Sequence, residues 1–167
     1  YDLAGADPGA CVPMPALERI HTRLAASLRS VLSDHLGRDI DVTAGPLTSL
    51  SYGEFLARLP RPASLNPVQV PSLAGSGLVV FDARLVFIVV DLLFGGPGRC
   101  DAPVGERAFS PTEQRIIQGL LEAVLTAYRQ AWAPTQDLQF EPLAGTADAR
   151  IPDIASLSEP VLATRYT

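Results

Sequence analysis

The stretch LVFIVVDLLFGGPGR, residues 85–99, joins an apolar run to a glycine loop, and the fold prediction starts from this junction. The apolar run has about half the length of a membrane span, so it indicates a buried core element rather than an anchor. Asp82 can cap a helix that we predict over Ala83–Phe94. The glycines after it permit positive φ and close backbone approach, while Pro97 stiffens the loop.

Asp91 is the one charged residue inside the apolar run, where a carboxylate is costly unless it finds hydrogen-bond donors. Either Asp91 points outward or accepts hydrogen bonds from the glycine loop, or it shapes that loop for a partner. The loop itself could be a helix stop with a surface turn, or a binding loop. It follows a helix, whereas a phosphate-binding loop normally precedes one.

Two long amphipathic helices are predicted on either side of this stretch. The first begins near Pro15 and is stopped by Gly37, with apolar positions at three- and four-residue steps. A polar face on this helix remains available, and it contains Arg19, Arg23, Ala26, Ser30 and Ser33. The second helix begins at the capping box of Ser110 and Glu113 and ends at Pro134.

Shorter elements complete the pattern. A second capping box starts a short helix from Ser51 to about Leu59. We predict one strand that begins at Ile40–Val42 and further strands at Ser64–Leu73, Gly77–Phe81, Leu138–Leu143 and Glu159–Tyr166.

The order of elements repeats at an offset of 96 residues, so that Pro15 corresponds to Pro111 and the short helix at Tyr52 has a counterpart near Asp148. We therefore predict an α/β fold with a pseudo-twofold repeat of long helix, strand, short helix, strand and strand. A mixed sheet flanked by helices would form its core. Residues 1–12 are expected to be a leader loop, and residues 13–167 a single domain that stops near its last strand.

The charge composition of the chain excludes some classes of partner. The 167 residues carry 13 basic and 18 acidic side chains, a formal charge of −5, which argues against nucleic acid as a partner. All the basic residues are Arg.

Cys11 and Cys100 have no metal-binding spacing, and His21 and His35 are four helical turns apart, so we predict no metal, no cofactor and no catalytic residues. The chain is expected to be soluble and without a membrane span.

The chain resembles the middle domain of the flagellar motor switch (FliM) family. The resemblance is strongest at residues 85–87 and 90–99, and it extends through Phe109–Gln118. Further matching segments, in the family's order along nearly the whole chain, are Tyr1–Leu3, Met14–Ile20, Phe55–Pro60, Ser64–Asn66 and Ala131–Trp132.

This resemblance implies the pseudo-twofold fold of the CheC and CheX phosphatases and a place in the cytoplasmic switch ring, peripheral to the inner membrane at the flagellar basal body. It implies that the glycine loop docks the rotor protein FliG, with Asp91 as loop support. The docking residues would be Phe94, Gly95, Gly96, Pro97, Gly98 and Arg99. Lateral contacts with neighbouring copies in the ring would come from Arg19, Arg23, Ser30, Arg115 and Glu122.

Two further partners are implied through segments outside this sequence: phosphorylated CheY through an N-terminal peptide, and FliN through a C-terminal domain. The chain is therefore predicted to be a non-enzymatic switching component that links a chemotaxis signal to FliG and controls the direction of rotation.

The alternative is an enzyme, a phosphatase of a phosphorylated response regulator. In that branch of the fold, Asp or Ser is followed by Glu four residues on and by Asn three after that. Around Glu18 those positions hold Met14 and His21. Around Glu113 they hold Phe109 and Ile116, so neither helix carries the set.

Overall fold

The computed structural model describes residues 14–73, 75–99, 107–143 and 154–167. No helix within these ranges combines the length and the apolar character that crossing a bilayer requires.

Two long helices form the centre of the core. Helix α1 spans Met14–Leu36 and ends where Gly37 adopts a φ of 62°, as predicted. It packs along a later helix, Pro111–Trp132, whose N-terminus carries the predicted capping box and has Pro in its first turn. Their facing apolar stripes supply most of the buried cluster, which includes Ile20, Leu24, Leu28, Ile117, Leu120, Leu121, Val124 and Leu125.

A β-hairpin leads directly into the apolar helix. Its strands, Ala63–Val70 and Gly75–Asp82, pair antiparallel, with Ala63 opposite Asp82. Asp82 is also the N-cap of the next helix, α3 (Ala83–Leu93), where its carboxylate accepts from the Arg84 N–H at 2.9 Å. The hairpin therefore fixes where α3 begins, and α3 fixes where the glycine loop emerges.

The remaining elements are short. In chain order the α-helices and strands of the described residues are α1, β1 (Thr48–Ser51), α2 (Tyr52–Ala57), β2 (Ala63–Val70), β3 (Gly75–Asp82), α3, α4 (Pro111–Trp132), β4 (Glu141–Pro142) and β5 (Pro160–Ala163). The described strands form two antiparallel sheets, one of β1 and β5 and one in the order β3-β2-β4.

The two halves of the chain exchange strands. Strand β1 of the first half pairs with β5 of the second, with Thr48 opposite Ala163, while β2 pairs with β4. If the two halves repeat at an offset of 96 residues, the counterpart of Thr48 is position 144 and the counterpart of Ala163 is position 67, and these two positions should also pair. Leu143 does donate its N–H to the carbonyl of Pro67, at 3.0 Å, within one residue of that expectation. The predicted α/β fold class is confirmed, and the described parts of the two halves follow the predicted repeat, but the described strand pairs are all antiparallel rather than mixed.

The strand predicted to begin at Ile40–Val42 begins later, so that prediction is wrong. Residues 39–42 form no ladder, and pairing begins at Thr43, which exchanges backbone hydrogen bonds with Thr167 at 2.8 and 3.0 Å, next to the isolated bridge between Ala44 and Tyr166. The ladder itself lies further on, in β1. The position of this strand is decided by its pairing with the C-terminal segment. The local alternation of apolar and polar residues does not predict that long-range pairing.

Three other predicted strands are shorter in the structure. The one ending at Leu73 stops at Val70, because Pro71, which lacks an N–H, starts a 3-10 turn. The one at Leu138–Leu143 shortens to Glu141–Pro142. The last forms a ladder over Pro160–Ala163 only. The predicted leader loop and the short helix near Asp148 lie outside the described residues.

Candidate protein-docking site

The glycine loop begins as α3 ends. The N–H of Phe94 still bonds to the carbonyl of Val90, at 3.1 Å, but that of Gly95 bonds to Leu92, at 3.0 Å, which tightens the last turn. Gly95 then adopts a φ of 84°, and the Gly96 N–H donates to the carbonyl of Asp91 at 2.8 Å. The loop is therefore folded back over the end of its own helix.

The carboxylate of Asp91 holds the far side of this loop. Its Oδ2 accepts the N–H of Gly98 at 2.7 Å and the N–H of Arg99 at 3.3 Å. A half-buried carboxylate that accepts two backbone donors is satisfied in an otherwise apolar helix. Asp91 thus accepts hydrogen bonds from the loop, one of the arrangements that its sequence context left open.

Two of the loop glycines are required by close packing. A Cβ on Gly96 would overlap all three atoms of the Asp91 carboxyl group. At Gly98, where φ is 77°, a Cβ would lie 2.7 Å from the Leu92 Cδ2. A side chain at either position therefore requires Asp91 or Leu92 to move, and at Gly98 it also meets a positive φ that favours glycine.

An apolar surface adjoins the loop. Phe94 is 74% exposed and lies between the helix end and the glycines, and Leu93 beside it is also exposed, whereas the exposed Leu85 lies at the other end of α3. An exposed aromatic ring beside a rigid backbone turn is costly in water and is suited to insertion into another protein.

One contributor was missed by sequence analysis. Arg38, just after α1, donates from Nη2 to the carbonyl oxygen of Gly96 at 3.0 Å. The two residues are separated by 58 positions. No local motif marks Arg38, so only the packing of α1 beside α3 reveals the contact.

The predicted lateral residues lie on α1 and α4. Arg19, Ser30, Arg115 and Glu122 are exposed there. Arg23 is also exposed, but its Nη1 donates to the carbonyl of Ala131 at 3.2 Å, at the C-terminal end of α4. That contact satisfies a helix-end carbonyl, so Arg23 also has an intramolecular role.

Glu113, at the position of the phosphatase glutamate, is fully engaged inside the fold. It is 8% exposed and binds Arg107 through both oxygens, at 2.6 and 2.8 Å, while Oε2 also accepts the Ser110 N–H at 2.7 Å. The hydrogen bonds from Arg107 lower the pKa of Glu113 most, and the hydrogen bonds from Ser110 lower it further, to about 2. Its carboxylate is committed to capping α4.

The histidines are likewise placed by the structure. His21 Nδ1 lies 2.6 Å from the Tyr166 hydroxyl, and burial lowers the pKa of His21. His35 is exposed near the end of α1. Within the four described ranges, no three His, Cys, Asp or Glu side chains form a group that could hold a metal ion.

Comparison with known proteins identifies relatives of this arrangement. Residues 13–167 match the family model described as flagellar motor switch protein FliM. A curated protein of that description from Pseudomonas aeruginosa is 35% identical over 166 residues, which is 99% of this chain and 51% of the relative. The chain thus spans about half the length of that relative.

Solved structures show the same architecture. The crystal structure of a FliM middle domain from Vibrio alginolyticus has a TM-score of 0.76 at 34% identity, covering 91% of this chain and 84% of that one. A FliG–FliM complex from H. pylori gives a TM-score of 0.82 at 25% identity, covering 93% and 86%.

Proposed function

This chain belongs to the flagellar motor switch protein FliM family, and we propose that it docks a FliG-type rotor protein through its glycine loop. The whole protein would be a non-enzymatic switching component that links a chemotaxis signal to rotation direction. It would act in a cytoplasmic ring at the flagellar basal body.

The observation that carries this proposal is the pairing of an exposed Phe94 with a loop whose backbone is held by Asp91. A rigid loop loses little conformational entropy on binding, and an aromatic side chain supplies a large buried area. The H. pylori relative was solved in complex with FliG, which supports FliG as the partner here.

Lateral contacts would come from the exposed faces of α1 and α4, through Arg19, Ser30, Arg115 and Glu122, with Arg23 as a contact that also caps α4. Neighbouring copies would slide along these faces as the ring switches. FliN and phosphorylated CheY would bind mainly through segments outside this chain.

Phe94→Ala is expected to weaken binding to the FliG middle domain at least tenfold, because it removes the exposed aromatic group beside the loop. The fold should be unaffected, since a 74% exposed side chain contributes little to the core. Isothermal titration of purified chain against the FliG middle domain measures the affinity, and thermal unfolding checks the fold.

Leu157→Ala is the matched control, because Leu157 is 67% exposed and lies far along the chain from the loop, before β5. It should bind as the wild type does. Equal affinity of the Phe94 variant and the wild type, or no binding by the wild type, would refute the docking proposal.

The enzyme alternative has its own test. We expect that adding the chain to a phosphorylated response regulator leaves the half-life of its aspartyl phosphate unchanged, because Glu113 is bound by Arg107 and the Asn position holds Ile116. Dephosphorylation can be followed by loss of radiolabel, with a CheX-type phosphatase as the positive control. A shortened half-life would restore the enzyme interpretation.

A further inference from the structure

We propose that Arg38 is a positioning residue that holds the glycine loop in its docking conformation from the end of α1. Only the predicted effect of Arg38 on binding rests on the proposed docking function. Its structural basis is the hydrogen bond from the Arg38 Nη2 to the Gly96 carbonyl, at 3.0 Å.

The end of α1 directs Arg38 toward the loop. Gly37 has a φ of 62°, and the Arg38 N–H returns to the carbonyl of Ser33 at 3.1 Å, the hydrogen bond of a Schellman turn. The Ser33 hydroxyl also accepts the N–H of Ile40 at 3.2 Å. The backbone on both sides of Arg38 is therefore fixed before its side chain reaches the loop.

Arg38 and Asp91 hold complementary groups of the same short segment. The Asp91 carboxylate accepts N–H groups of the loop, whereas the Arg38 guanidinium donates to a loop carbonyl. Both hydrogen bonds involve a charged partner, which makes them stronger than neutral ones. The carbonyl that accepts from Arg38 belongs to Gly96. The next residue is Pro97, whose backbone nitrogen has no hydrogen and so cannot donate a hydrogen bond within the loop.

The consequence is a connection between two surfaces. Helix α1 carries part of the exposed face proposed for neighbouring copies, and Arg38, two residues beyond its end, binds the loop proposed for the rotor protein. A shift of the end of α1 would thus alter the orientation of the Gly96 carbonyl.

Arg38→Ala is expected to raise the amide exchange rates of Gly98 and Arg99 about three- to tenfold, because the loop loses one of its two charged anchors. Affinity for the FliG middle domain should fall by a similar factor, while the melting temperature should change little, since the bond is exposed. Arg38→Lys retains a cationic donor, so it should restore part of both effects.

Arg29→Ala is the control. Arg29 lies on α1 and binds Asp39 and Asp41 at 3.3 Å each, and within the described residues it makes no hydrogen bond to the loop. It should change neither loop exchange nor affinity.

Unchanged exchange in the Arg38→Ala variant would overturn the positioning role, whatever the wild type binds. Faster exchange with unaltered affinity would overturn its importance for docking. Failure of the wild type to bind FliG would instead refute the docking function, while the exchange rates would still decide whether Arg38 holds the loop.

Discussion

Gly96→Ala should reduce affinity for the FliG middle domain at least about thirtyfold, equivalent to about 2 kcal/mol. The new Cβ would overlap the carboxyl group of Asp91, so that side chain must rotate away. Rotation removes the acceptor from the N–H groups of Gly98 and Arg99. The loop would then sample many conformations, and ordering it on binding would cost free energy. Isothermal titration gives the affinity.

Two other glycines separate the overlap from a general effect of adding a methyl group. Gly95 has a φ of 84° but open space around a Cβ, so Gly95→Ala tests backbone strain without the clash. Gly77, in β3, has neither problem, and Gly77→Ala should bind as the wild type does. If Gly96→Ala binds FliG with wild-type affinity, the fit between the loop and Asp91 has no role in docking.

The helix caps of the fold were predictable from the sequence. Asp82, Ser51 and Ser110 were identified as helix caps from nearby residues alone, and all three accept the expected backbone N–H. A cap and its donor are two or three residues apart, so short-range pattern is sufficient.

Contacts between distant segments were not predictable. Arg38 reaches a residue 58 positions away, and an arginine on a helix end has no preferred target until helices α1 and α3 are packed together. Strand β1 was misplaced for the same reason, because its partner is β5, more than a hundred residues further along the chain. Local alternation shows that a strand is possible, and long-range pairing decides which residues form it.

Arg107 illustrates the same limit at the start of α4. The capping box of Ser110 and Glu113 was evident, but the guanidinium that binds both oxygens of Glu113 was not. That guanidinium also lies 5.1 Å from the centre of the Phe87 ring, on α3. The N-terminus of α4 is thereby tied to the helix that carries the docking loop.

Glu113→Gln should make the chain less stable at neutral pH by about 2 kcal/mol, and the difference from wild type should shrink as the pH falls from about 5 toward 2. The folded chain holds the pKa of Glu113 at about 2, against 4.5 for the free side chain. A depressed carboxyl pKa stabilises the fold above the unfolded value, and that contribution is lost as pH falls from about 5 toward 2. The full shift corresponds to about 3 kcal/mol. We expect less because the Arg107 side chain is 54% exposed, and solvent screens its charge.

The capping box of α2 provides the control, because Ser51 and Glu54 repeat the geometry without a bound arginine. The pKa of Glu54 is lowered by its hydrogen bonds to Ser51, but its carboxylate is exposed. Glu54→Gln should therefore have a much smaller effect than Glu113→Gln. Urea unfolding of both variants and the wild type between pH 3 and pH 7 measures this difference. Protonation removes the charge of Glu113 but keeps its shape. If the difference in unfolding free energy between Glu113→Gln and wild type does not change with pH, the ionised carboxylate of Glu113 does not stabilise the fold.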